Sequence, residues 1–138
     1  MRGAWFLSGS LMIRILLADD HQPVRKGLRR ILASDKQCTV CAEAANGEEA
    51  LALCLEHNPD VVILDVRMPK LDGFAAAQKI RSIAPRAAIM IVTLHDGIEA
   101  RKQATAAGAL AFLCKSQAEL HLLPAVHALA HHRPYIAA

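Results

Sequence analysis

Residues 61–73 read VVILDVRMPKLDG: four consecutive aliphatic side chains, then Asp65, then a short stretch through Met68 and Pro69 that ends in Asp72-Gly73. Four apolar residues in a row, bounded by turn formers, read as a strand buried on both faces, the kind found in parallel sheets covered by helices. Asp72-Gly73 ahead of Phe74 is a helix start signal. The stretch therefore predicts one strand, loop and helix unit, with an acidic residue where the strand ends.

The same unit recurs along the chain. Short apolar runs at residues 13–18, 38–44, 88–92 and 109–113 read as further strands. Between them the spacing turns helical, as in Val24, Leu28, Ile31 and Leu32, and again in Phe74, Ala77, Ile80 and Ala84. Pro23 suits a first helical turn, and Asn46 with Glu49 and Asp96 with Glu99 have the spacing of capping boxes. Asn58-Pro59, Pro85 and Gly108 fall where helices should stop. The last helix is less regular: Ser116 with Glu119 would cap it early and leave Pro124 inside, so a kink or a later start near His121 is expected. Alternating strands and helices imply an α/β fold, a doubly wound five-stranded parallel sheet with five helices.

Composition agrees. The 138 residues suit one domain, and 54% hydrophobic with only 4% aromatic content favours helices packed on a parallel sheet over an aromatic-rich sandwich. A net charge of +3 without a dense basic run marks no footprint for nucleic acid or a membrane surface. Arg25-Lys26 with Arg29-Arg30 reads as the solvated face of a helix. No apolar stretch reaches the roughly twenty residues of a membrane span. The start of the chain, interrupted by Ser8-Gly9-Ser10, lacks a cleavage site, so a cytoplasmic location is expected. Cys38 and Cys41 form a C-x-x-C, but it lies in a strand-like stretch with no second pair, so Cys38, Cys41, Cys54 and Cys114 read as reduced thiols. His127 and His131 are four apart on a helix without a further ligand nearby and read as surface residues.

In open α/β sheets ligands bind at the carboxyl ends of the strands, beside the reversal of strand order. The residues found there are Asp19-Asp20, Asp65, Thr93 and Lys115. Two unit charges 4 Å apart repel by about 4 kcal/mol at an effective dielectric near 20, so three carboxylates on one rim call for a cation. Oxygen ligands with retained water suit Mg²⁺, and an adjacent lysine and hydroxyl suit phosphate oxygens. Asp65, ending an apolar strand, is the natural nucleophile.

LLADDH (16–21), VVILDVRMPKLDG (61–73), IVTLHD (91–96) and AGALAFLCK (107–115) resemble the receiver domains of response regulators of the NarL/FixJ (LuxR-like) type. Each motif is weak alone; together, in this order and spacing, they are specific, and the match covers residues 13–136. The resemblance implies the flavodoxin-like strand order 2-1-3-4-5. It implies that Asp65 takes a phosphoryl group from a sensor histidine kinase, that Asp20 and Asp65 bind Mg²⁺ directly, Asp19 through water, and that the Arg67 backbone carbonyl adds a ligand. Thr93 and Lys115 would hold the phosphoryl oxygens, and Phe112 occupies the switch-aromatic position, its ring expected to turn inward as Thr93 moves. The implied role is a signalling switch rather than an enzyme, with homodimer formation on phosphorylation. DNA would be reached only through a helix-turn-helix domain absent from this chain. On this reading residues 12–132 are the receiver, 133–138 begin a linker, and 1–11 are an N-terminal extension or vector remnant.

Two departures bear on these roles. Ser116 stands where many receivers have proline after the lysine, and a cis non-proline bond costs about 3 kcal/mol. Arg67 and His95 flank the site on the side of an attacking water and are expected to set the phosphoryl lifetime. Two other readings of the same fold fare worse. An aspartyl phosphatase needs a second acid two residues after its nucleophile, where this chain has Arg67. An FMN binder needs a loop after the first strand that welcomes phosphate, where this chain has Asp19-Asp20.

Overall fold

Five strands, β1 (Ile13–Ala18), β2 (Cys38–Ala44), β3 (Val61–Leu64), β4 (Ala88–Thr93) and β5 (Ala111–Cys114), form a parallel sheet in the order β2-β1-β3-β4-β5. Five helices alternate with them: α1 (Gln22–Ala33), α2 (Gly47–His57), α3 (Gly73–Ile83), α4 (Ile98–Ala106) and α5 (Ala118–Ala130). The computed structural model describes residues 12–137, so the stretch 1–11, expected to be an N-terminal extension or vector remnant, lies outside the described residues. Among the described residues no helix is long and apolar enough to cross a membrane.

Side-chain alternation along the strands divides the interior in two. Ile13, Ile15, Leu17, Ile63, Met90 and Leu113 face α1 and α5. Leu16, Val62, Leu64, Ile89, Ile91 and Phe112 face the layer of α2, α3 and α4. β3, β4 and β5 are buried throughout, which explains their unbroken apolar runs. β2 is an edge strand, buried only at its ends, and a register shift opposite Ile15/Leu16 leaves Cys41 out of the pairing.

Several local signals perform as read. Pro23 lies in the first turn of α1. Asn46 caps α2 by accepting from the Glu49 N–H at 2.8 Å, while the Glu49 carboxylate reaches back to the Ala45 N–H at 2.8 Å. Asp72 caps α3 through the Ala75 N–H at 2.8 Å. Asn58 closes α2 in the left-handed region at φ 47.

Others do not. Asp96 caps nothing: Gly97 is the capping residue of α4, and the Asp96 carboxylate instead takes both nitrogens of Arg101, at 2.8 and 3.0 Å. β5 begins two residues later than its apolar run, because the Ala109 N–H is drawn to the Ala104 carbonyl in the last turn of α4. After β5 the chain makes one 3₁₀ turn, Lys115–Gln117, and α5 then starts at Ala118, ahead of His121, and continues past Pro124. The missing Pro124 N–H frees the Leu120 carbonyl, and Leu120 is 73% exposed, so water can satisfy it. No cis peptide bond occurs among the described residues, so the Lys115–Ser116 bond is trans. Within the stretch expected to begin a linker, the Tyr135 N–H bonds the Leu110 carbonyl at 3.0 Å, and its hydroxyl lies 2.7 Å from His121 Nδ1.

Candidate functional site at the carboxyl ends of the strands

In the order β2-β1-β3-β4-β5 the chain leaves β1 toward β2 and leaves β3 toward β4, in opposite directions, which opens a crevice above the β1/β3 pair. Ala18 pairs with Leu64, and the next residue of each strand, Asp19 and Asp65, rises at this crevice. The backbone fixes both: the Asp19 N–H bonds the Ala44 carbonyl at 3.0 Å and the Asp65 N–H the Ala18 carbonyl at 2.9 Å. Asp19 is 1% exposed and Asp65 7%, whereas Asp20 faces solvent. One carboxylate oxygen from each of the three comes within 4.8 Å of the others.

Lys115 enters from the turn after β5. Its ammonium nitrogen lies 2.7 Å from Asp19 Oδ2 and 3.2 Å from Asp65 Oδ1. Burial foremost, and then the neighbouring Asp19 charge, push the Asp65 carboxyl above the usual carboxylate range, against the pull of Lys115. Burial also opposes the charge on Lys115, but the two carboxylates outweigh it, so its pKa rises and the ammonium persists. Asp19 Oδ2 is buried and, among the described residues, has no polar partner beyond the Lys115 ammonium. Its other oxygen accepts from the His21 N–H at 2.9 Å. A buried carboxylate oxygen with a free lone pair, facing two more carboxylates, fits a hard divalent cation.

The remaining residues of the site take the following places. Thr93 is the last residue of β4, 7% exposed, and its hydroxyl lies 3.4 Å from the His95 N–H. Arg67 is exposed on the loop after β3 and, with Asp20, Met68 and Pro69, lines an open groove beside the carboxylates. Phe112, on the β5 face toward α4, is already buried at 8% exposure, and the Arg101 guanidinium lies 4.9 Å from its ring centre.

Reading the sequence missed Gly73, taken only as part of a helix start. A Cβ at this position would sit 2.1 Å from the Asp65 carbonyl oxygen, and the Gly73 N–H bonds the Val66 carbonyl at 2.8 Å. The first residue of α3 therefore presses on the backbone that carries Asp65, which only a residue without a side chain allows. The Asp72-Gly73 pair was visible; that its glycine touches Asp65 was not. Arg101 was missed as well, because its two partners, Asp96 and Phe112, lie on different elements.

Residues 15–127 match the response regulator receiver domain family, and the chain belongs to it. Within that family it is of the NarL/LuxR type. It is 37% identical over 118 residues to the uncharacterized transcriptional regulatory protein YxjL of Bacillus subtilis, covering 86% of this chain and 54% of that protein. It is 36% identical over 126 residues to the response regulator UvrY of Escherichia coli, covering 91% and 58%. A LuxR-family two-component response regulator from Aurantimonas superposes with a TM-score of 0.86 at 36% identity, covering 91% of this chain and 89% of that one. The chain thus spans about half the length of the curated relatives it matches.

Proposed function

We propose that this domain is the phosphoacceptor switch of a two-component system and that Asp65 carries the phosphoryl group. The observation behind this is the meeting of Asp65 with Asp19, Asp20 and the Lys115 ammonium at the β1/β3 crevice. In the reaction a carboxylate oxygen of Asp65 attacks the phosphorus of a phosphohistidine on a sensor kinase. A P–O bond forms, the P–N bond breaks, and the imidazole leaves with its electron pair and takes a proton. Asp19, Asp20 and Asp65, with the Arg67 carbonyl, are the residues that would hold Mg²⁺, which supplies positive charge against the carboxylates and the phosphoryl oxygens. Lys115 meets one phosphoryl oxygen as a point charge, and Thr93 donates to another. The chain acts as the substrate of the transfer and does no further chemistry beyond losing the group to water.

The phosphoryl group adds about −1.5 to −2 charges. Lys115 must then share itself between Asp19 and the new anion, and Thr93 must move toward it. Arg101, tied to Asp96 on the β4–α4 loop and stacked on Phe112, would carry that movement to the ring on β5. Because the Phe112 ring already lies inward, phosphorylation stabilises a ring position the fold can adopt beforehand, a shift of population. The readout is self-association, and DNA binding through a helix-turn-helix domain like those of transcriptional regulators. Incubation with Mg²⁺ and a small acyl phosphate should add one phosphoryl group, seen by intact mass, and Asp65→Asn should remove it. Undiminished modification of that variant would overturn the assignment.

A further inference from the structure

The opposite end of the sheet holds a second group of ligating side chains, none of which touches the phosphoacceptor rim. α1 ends at Ala33, and a turn closed by the Cys38 N–H on the Asp35 carbonyl, at 3.1 Å, leads into β2. Near the end of α5, His127 reaches back to this turn: its Nε2 lies 2.6 Å from Asp35 Oδ2. The Cys38 sulfur, an Asp35 oxygen and a His127 ring nitrogen all lie within 4.8 Å of one another. Cys38 is only 9% exposed, is not in a disulfide, and its sulfur finds no hydrogen-bond partner among the described residues. Asp35 is held in place by a second bond, its Oδ1 accepting from the Gln37 N–H at 2.9 Å.

From this geometry we infer a binding site for a borderline transition-metal ion of the Zn²⁺ class, ligated by Asp35, Cys38 and His127, with water in the fourth position. The donor set is imidazole nitrogen, thiolate sulfur and carboxylate oxygen, the three that Zn²⁺ takes and that Mg²⁺ does not favour together. Zinc–ligand bonds of about 2.0 to 2.3 Å place tetrahedral ligand atoms about 3.3 to 3.8 Å apart, so modest side-chain rotation converts the present cluster into a coordination shell. Charge balances, since one carboxylate and one thiolate neutralise a dication beside a neutral imidazole. Binding replaces the thiol proton: the Cys38 S–H bond breaks, a sulfur–metal bond forms, and the proton passes to solvent.

A cysteine nucleophile activated by a His–Asp pair is the competing reading of the same residues. It fails on two counts. His127 Nε2 is already engaged by Asp35, and burial, aided by the Asp35 charge, pushes the Cys38 thiol up to about 12, so no useful thiolate exists without a metal. The site joins the turn before β2 to α5 across 92 residues of sequence, so occupancy should fasten that corner of the domain.

Cobalt(II) alone, added to the reduced 138-residue chain, provides the test, because a thiolate ligand gives a sulfur-to-cobalt charge-transfer band that carboxylates cannot. The expected result is one equivalent bound with this band, about one proton released, displacement by Zn²⁺, and a rise in melting temperature. Asp65→Asn should leave the band intact, separating this site from the phosphoacceptor cluster. Cys38→Ser should remove the band, and His127→Gln, a change on a partly exposed helix position that the fold tolerates, should weaken binding at least tenfold. No band in the unaltered chain would overturn the proposal. So would a band that survives in both variants, which would place the metal on Cys41, Cys54 or Cys114.

Discussion

The two ends of the sheet both gather ionisable groups, yet they do so by different means. At the carboxyl end each group follows directly on the last apolar residue of a strand or closes it: Asp19 after β1, Asp65 after β3, Thr93 ending β4, Lys115 after β5. Parallel strands in one sheet must finish on one rim, so the convergence follows from the fold whatever the loops do. At the amino end Asp35 comes from a turn, Cys38 from the first position of β2 and His127 from the distal part of a helix, and they meet only because α5 packs beside α1. The first cluster is a property of the architecture; the second is a property of how two layers happen to cross.

Substitutions can break that contrast. The largest effect is expected at Asp65: Asp65→Asn should abolish acyl-phosphate labelling, whereas His127→Gln should leave the labelling rate within about twofold, as measured by mass spectrometry. A labelling defect in His127→Gln would mean that the two ends are coupled.

Gly73→Ala comes next. The added methyl group would meet the Asp65 carbonyl oxygen at 2.1 Å, a backbone atom that cannot rotate away, so α3 or the Asp65 peptide must shift. Denaturant titration should show a loss of about 1–3 kcal/mol, in the range of overpacked interiors. Because about 1 Å of misplacement can cost a hundredfold in rate, phosphorylation should also slow strongly. Alanine at the equally small Gly97, where a Cβ would meet nothing within 4 Å, should do neither.

Asn46→Ala removes the cap of α2 and should destabilise by about 1 kcal/mol without touching the phosphorylation rate, since Asn46 bonds only the helix start. Thermal melts and labelling kinetics on the same sample separate the two effects.

The smallest effect is pH-dependent. The Arg101 guanidinium holds the exposed Asp96 carboxyl below its usual range. A carboxyl whose pKa is lower folded than unfolded adds stability above its unfolded pKa, and that stability disappears as pH falls through the folded value. The melting temperature of Arg101→Met should therefore lie below that of the parent chain at neutral pH, and this part of the gap should close in acid. A gap unchanged by acid would assign the whole effect to the stacking of Arg101 on Phe112.

The legibility of the chain follows the same division as its two ends. The runs 61–64 and 88–92 showed their strands because burial on both faces leaves no polar position, whereas β1 and the edge strand β2 admit Arg14, Thr39 and Glu43. Asn46 and Asp72 showed their helix starts because a cap acts on a neighbour three residues away. Asp96 followed the same spacing rule and misled, because Arg101 offered two charge-assisted bonds where a cap offers one. The start of β5 was misplaced for a similar reason, its first N–H being taken by α4.

What the sequence determined by itself is the order of strands and helices, the two-sided core and the acidic rim with its lysine, since periodicity and strand ends are local properties and a parallel sheet turns them into positions. Tertiary structure alone decided that Gly73 bears on Asp65, that Arg101 joins Asp96 to Phe112, and that His127 meets Asp35 and Cys38. These contacts span elements whose relative placement depends on how whole helices pack on the sheet, and no spacing along the chain encodes that distance.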